Sequence, residues 1–95
     1  LEVARGRRFK EKEPLDIRII AYYPIPQSTS KKRRKEMLEH RIRPTVKPDL
    51  DNVAKLIYDA LNGVAWYDDN AIVDTQVRKF YSDTPRVDVF IRAVE

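Results

Sequence analysis

Residues 49–63, DLDNVAKLIYDALNG, decide how the rest of this 95-residue chain is read. Val53, Leu56, Ile57, Ala60 and Leu61 recur at i, i+3, i+4, i+7 and i+8, the spacing by which a helix buries one face. The pattern predicts a helix from Asn52 to Asn62. Asp49 or Asp51 can cap its start, where unpaired amides and the helix dipole favour negative charge, and Asn62-Gly63 supplies the left-handed turn that stops it. Capping accounts for one of these carboxylates and leaves the second without a structural reason.

Upstream, Leu15 to Tyr23 (LDIRIIAYY) places Leu15, Ile17, Ile19 and Ala21 on one side and Asp16 and Arg18 on the other. That period of two predicts a strand, ended by Pro24-Ile25-Pro26 because proline cannot donate to a ladder. Ser28-Thr29-Ser30 offers hydroxyl caps to a helix over Lys31 to Glu39, whose apolar content is only Met37 and Leu38. Two prolines then keep Arg43 to Pro48 extended, so residues 28–48 read as a loosely held basic flap leading into the carboxylates. Downstream, Ala71 to Tyr81 is rich in β-formers, and Arg86 to Val94 alternates with Val87, Val89, Ile91 and Ala93 on one face. With Ser82 to Pro85 as a turn, those two segments are expected to pair as an antiparallel hairpin. Leu1 to Lys12 is charged and weakly patterned and receives no element. The predicted fold is α+β: a small mixed or antiparallel sheet, one main amphipathic helix on one face, and a basic helical flap.

Composition sets further bounds. A chain of this length with 42% apolar residues suits a single domain over residues 1–95, one that buries roughly 60–65% of its unfolded surface and gains from self-association. With no Cys and only His40, thiolate, His-rich zinc and haem ligation are excluded, so a metal here binds oxygen. No membrane-length apolar run and no signal-peptide pattern is present, which leads to the expectation of a cytoplasmic chain without a membrane partner. Of the net charge of +4, residues 31–43 carry a local +5 through Lys31, Lys32, Arg33, Arg34, Lys35, Arg41 and Arg43 against Glu36 and Glu39. Such concentration fits a polyanion contact or a merely solvated face.

The carboxylates carry the chemistry. Asp49 and Asp51 stand at the helix start, and Asp68 and Asp69 follow an aromatic pair, Trp66-Tyr67, after the helix. If the connecting residues return along the helix, acidic oxygens from both places can meet, as Mg²⁺ requires: it is held by a few carboxylates with water and substrate phosphate completing the octahedron. Lys55 lies one turn beyond Asp51 and Asp59 one turn beyond Lys55, a spacing that suits an i,i+4 salt-bridge ladder. Beside a metal-bound phosphate, Lys55 is also placed to stabilise developing negative charge; Asp59 keeps the structural reading. Trp66 and Tyr67 read as core or interface packing before they read as a stacking platform for a base.

KPDLDNVAKLIYDALNG (47–63) followed by VAWYDDNAIV (64–73), with the PIP-x-S turn at 24–28 and KFYSDTPRVDVFI at 79–91, closely resembles the RusA-type Holliday junction resolvases of bacteria and phages. The resemblance covers about residues 13–94. It implies a homodimeric, Mg²⁺-dependent endonuclease, with Mn²⁺ able to substitute, that nicks two opposed strands of four-way junction DNA symmetrically in recombination and repair. It puts the metal-binding carboxylates on Asp49, Asp51 and Asp69, with Asp68 as the neighbouring candidate, and the catalytic lysine on Lys55. The family's basic residues before the first Asp correspond only loosely here, where Lys47 and Pro48 stand; it is the concentration of basic charge that assigns phosphate contacts to Lys31, Lys32, Arg33, Arg34, Lys35, Arg41, Arg43 and Lys47. The resemblance also implies that a strand and a helix usual before Leu15 are lacking here. The competing reading is a non-catalytic nucleic-acid-binding or dimerisation module whose acidic cluster caps a helix.

Overall fold

The computed structural model describes residues 2–3 and 12–94. Its elements run β1 (Glu2–Val3), β2 (Leu15–Pro24), α1 (Lys31–Leu38), α2 (Leu50–Leu61), a 3-10 turn (Asp69–Ala71), β3 (Ile72–Ser82) and β4 (Arg86–Ala93). This is the expected α+β fold. The strands form one mixed sheet in the order β1-β4-β2-β3.

β2 takes the interior of the sheet because it is the most apolar strand. Leu15, Ile17 and Ile19 are fully buried and Ala21 and Tyr23 nearly so. β3 lies parallel to β2, from Leu15 beside Ile72 to Pro24 beside Ser82. β4 lies antiparallel on its other side, from Leu15 beside Ala93 to Tyr22 beside Arg86. The expected β3–β4 hairpin is therefore corrected. Residues 83–85 step over the end of β2, a gap of two strand spacings, about 10 Å, that three extended residues span. A hairpin would have pushed the apolar β2 to an edge and exposed it to solvent. Glu2–Val3 pairs parallel with β4, an element that the weak pattern of the first dozen residues gave no sign of; residues 1 and 4–11 lie outside the described residues.

The helix stripe also differs from its prediction. Val53, Ile57 and Leu61 of α2 are buried, whereas Leu56 is 64% exposed and Ala60 is exposed as well. The helix buries the narrower i, i+4, i+8 row against the sheet. Beyond it, Gly63 takes a left-handed φ of 76°. Hydrogen bonds from the Gly63 amide to the Trp66 carbonyl (2.7 Å) and from Ala65 to Leu61 (2.9 Å) fold the chain back. That turn drops Trp66 into the core with no exposed surface, edge-on to Tyr58, so its packing role stands and Tyr67 remains about half exposed.

α1 is held at more points than its two apolar residues imply. Ser30 Oγ accepts from the Arg33 amide, Met37 is buried, and Arg34 pairs with Asp83 beyond β3. Its C-terminus closes in a Schellman arrangement: His40, at φ 66°, donates to the Met37 carbonyl and Arg41 to that of Glu36. The His40 ring stacks on Phe80 of β3 at 4.2 Å.

On the sheet face opposite the core residues of β2, Asp16 is 2% exposed. Arg18 and Arg92 both donate to it, at 3.2 and 2.9 Å. The Arg18 hydrogen bond, opposed by burial and reinforced by Arg92, holds its carboxyl below the usual carboxylate range. A carboxyl more acidic in the folded than the unfolded chain contributes stability above its unfolded value, near 3.9, and that contribution is lost as pH falls through the lower folded value. Thermal unfolding followed from pH 7 to pH 2 is expected to show this acid loss. In Asp16→Asn the protein is less stable at pH 7 and the acid-dependent part of the fall is smaller; an unchanged acid limb in that variant would remove Asp16 as its source.

Candidate active site

Asp49 is the N-cap residue of α2, yet its side chain makes no capping hydrogen bond. Val53 instead donates to the Asp49 backbone carbonyl at 3.0 Å. Asp51 follows in the first turn. Both carboxylates are exposed, and among the described residues neither has a hydrogen bond or ion pair. Two open carboxylates two residues apart at a helix N-terminus are thus available to a ligand, and Lys55, also exposed and unpaired, stands one turn further on. The salt-bridge ladder expected of Asp51, Lys55 and Asp59 does not form.

The backbone that carries Asp49 is tied to the sheet by side chains the sequence did not single out. Tyr23 Oη donates to the Pro48 carbonyl. Lys79 Nζ donates to the Val46 carbonyl at 2.7 Å and lies over the Tyr23 ring. Arg43 Nε donates to the Lys79 carbonyl at 2.9 Å with its guanidinium 4.3 Å from the Phe80 ring centre. Burial, and after it the negative charge of Asp49, raises the Tyr23 phenol above its ordinary value. It therefore stays a donor throughout the neutral range. The only sequence signal for this tie was the alternation that turns Tyr23 inward.

Asp68 and Asp69 sit elsewhere. Asp68 caps the 3-10 turn by accepting from the Asn70 amide at 3.1 Å. Asp69 Oδ1 accepts from Trp66 Nε1 at 2.7 Å. Trp66 forms a bridge with Asn62, the C-cap of α2, and Tyr67, Asp68 and Asn70 line a hollow with Lys12 and Pro14. Asp69 therefore lies near the first residues of β2, while the Tyr23–Pro48 contact holds Asp49 near its last. α2, about 18 Å long at 1.5 Å per residue, runs between the two places. No group of three or more Asp, Glu or His positioned for one metal ion occurs among the described residues. A single chain brings Asp49, Asp51 and Lys55 together and keeps Asp68 and Asp69 apart from them.

The basic residues divide by their contacts. Arg34 is paired with Asp83, Arg41 with Glu39 at 3.6 Å, and Arg43 is engaged on β3. Lys31, Lys32, Arg33, Lys35 and Lys47 are exposed, with no side-chain partner among the described residues. The contacts of Arg34 and Arg43 set this basic segment at the same end of the sheet as Asp49.

A profile of the endodeoxyribonuclease RusA family matches residues 2–92. The chain belongs to the RusA endodeoxyribonuclease family. Among curated proteins, the uncharacterized protein YqaN of Bacillus subtilis (strain 168) is 45% identical over 83 residues, an alignment covering 85% of this chain and 58% of YqaN. The chain thus spans somewhat over half the length of that relative. No solved structure matches the chain.

The tie beneath Asp49 gives a direct expectation. Tyr23→Phe and Lys79→Met each remove one hydrogen bond from the 46–49 backbone and lower unfolding stability by about 1 kcal/mol. Amide hydrogen exchange speeds up at residues 46–52 before it does so in β2. Uniform acceleration across the sheet would show instead that these side chains support the core as a whole.

Proposed function

We propose that this RusA-family chain is a divalent-metal-dependent DNA endonuclease that acts as a homodimer on four-way junctions, nicking two opposed strands. One observation carries the reading: two unpaired carboxylates open to solvent at the start of α2, with an unpaired lysine one turn away, at the end of the sheet that also presents the basic segment. An oxygen-only donor set of Asp49 and Asp51 fits Mg²⁺, or Mn²⁺ in its place, since such ions take one or two carboxylates and fill their remaining positions with water and phosphate oxygens. Bound there, the ion supplies a more acidic water and neutralises phosphodiester charge.

The chain's own groups do the rest. Asp49 and Asp51 fix the ligand at the helix dipole's positive end, Lys55 offers an ammonium to charge developing on the phosphate, and Lys31, Lys32, Arg33, Lys35 and Lys47 hold flanking phosphates. Arg34, Arg41 and Arg43 belong to the same basic surface but first order the segment through their own contacts. In this reading Asp69 is the remaining metal ligand. No helix among the described residues is long and apolar enough to cross a membrane, which accords with a DNA substrate in the cytoplasm.

Asp51→Asn is expected to bind a synthetic junction in EDTA as the parent does and to lose at least about 100-fold of its Mg²⁺-dependent nicking. Cleavage at the parent rate would refute the assignment. The structural uses of Asp68 as a cap and Asp69 as an indole acceptor favour the alternative of an inert DNA-binding or dimerisation module. That module would show neither EDTA-sensitive cleavage nor divalent-dependent thermal stabilisation.

The basic segment is tested separately. Replacing Lys31, Lys32, Arg33 and Lys35 by Gln should weaken junction binding and flatten the dependence of log affinity on log salt by about 3 to 4, near 0.9 per lost phosphate contact. An unchanged slope would mean that these side chains are only solvated.

A further inference from the structure

The two carboxylates at the start of α2 belong to different parts of the chain. Asp51 lies in the first helical turn and is carried by α2, whereas Asp49 is the N-cap and is carried by the segment 43–48 that leads into it. Asp49 has the extended backbone of a cap, φ −68° and ψ 161°, but makes no side-chain hydrogen bond to the helix amides. Its carboxylate is therefore placed only by the backbone beneath it. A divalent ion shared by both carboxylates accepts a narrow range of separations, because octahedral Mg²⁺ keeps its oxygens at about 2.1 Å. We propose that Tyr23 and Lys79 are positioning residues of this site, holding the 46–49 backbone so that Asp49 and Asp51 meet one ion. This rests on the metal-nuclease reading and adds what fixes the spacing of its first two ligands.

Both parts are referred to the same strand. Val53, Ile57 and Leu61 seat α2 on the sheet, and Tyr23, Pro48, Val53 and Ile57 line one hollow at the end of β2. Tyr23 thus sits between the helix and the incoming segment, and its Oη donates to the Pro48 carbonyl. That carbonyl belongs to the planar peptide group whose nitrogen is Asp49's, so the tie acts on the plane that aims the Asp49 side chain. Lys79 secures the segment further back. Its ammonium donates to the Val46 carbonyl at 2.7 Å, while its own carbonyl accepts from Arg43 at 2.9 Å. One residue of β3 therefore clasps the segment at two points. A backbone tied at residues 43, 46 and 48 cannot shift Asp49 relative to α2 without breaking a hydrogen bond.

Mn²⁺ binding to the metal-free protein, measured by calorimetry well below the unfolding temperature, tests this role. Tyr23→Phe and Lys79→Met are each expected to weaken that binding by about tenfold, the loss typical when a group that orients a metal ligand is removed. Lys79→Arg keeps a donor for the Val46 carbonyl and is expected to bind as the parent does. Val89, 3% exposed in the core under β4, supplies the control: Val89→Ala loses stability and keeps its Mn²⁺ affinity. Nicking shows a matching split. In Tyr23→Phe the half-saturating Mg²⁺ concentration rises by the same factor, the rate at saturating Mg²⁺ stays near that of the parent, and junction binding in EDTA is unchanged.

Parental Mn²⁺ affinity in Tyr23→Phe and Lys79→Met would overturn the positioning role. An equal loss in Val89→Ala or Lys79→Arg would overturn it as well, since the effect would then follow stability or the change of side chain and not the tie. A parent that binds no divalent ion would instead overturn the metal-nuclease reading. The hold on Asp49 is decided even then by ¹⁵N relaxation of the backbone amides: faster local motion at residues 46–49 in Tyr23→Phe supports it, and unchanged motion there removes it.

Discussion

A parallel pair of strands cannot be joined by a tight turn, because the chain must travel back the full length of the first strand before it can begin the second. Between β2 and β3 that return is made by α2. Everything attached to the N-terminus of α2 is therefore delivered to the C-terminal end of β2, and everything after its C-terminus to the other end. Ten residues of β2, at roughly 3.3 Å each, set those ends about 30 Å apart. The separation of Asp49 and Asp51 from Asp69 follows from this connectivity and does not depend on any side-chain rotamer.

Within that frame, the positions that present chemistry are supported from below. Tyr23 and Lys79 face the core side of β2 and β3, yet each spends its polar atom on a backbone carbonyl of the segment entering α2. Carbonyls at a proline-rich entry have no ladder to join, so a buried phenol and a lysine stem supply the partners that a strand would otherwise give. The consequence is local order where Asp49 leaves its side chain uncapped. On the opposite face, Asp16 accepts from two arginines of two strands, which ties the register of β2 to that of β4 through a charge that burial would otherwise disfavour.

The sequence made the separate elements legible because their signals are local. The period-two run from Leu15, the hydroxyl cap before Lys31, and the Asn62-Gly63 stop each depend on a few neighbours, and each appears where expected to within a residue or two. The sheet order did not follow, since alternation in β3 and β4 is satisfied equally by pairing with each other or with β2. Only the competition for the most buried position, won by Leu15, Ile17 and Ile19, separates the two. The exposure of Leu56 was hidden for a related reason: its spacing fits the apolar stripe, but a helix lying on a sheet buries a narrower row than one surrounded by other helices. For the site, the adjacency of Asp49, Asp51 and Lys55 was readable from helical geometry alone. Whether Asp69 rejoins them depends on the direction of the chain after Trp66, which the bridge to Asn62 sets and no short motif encodes.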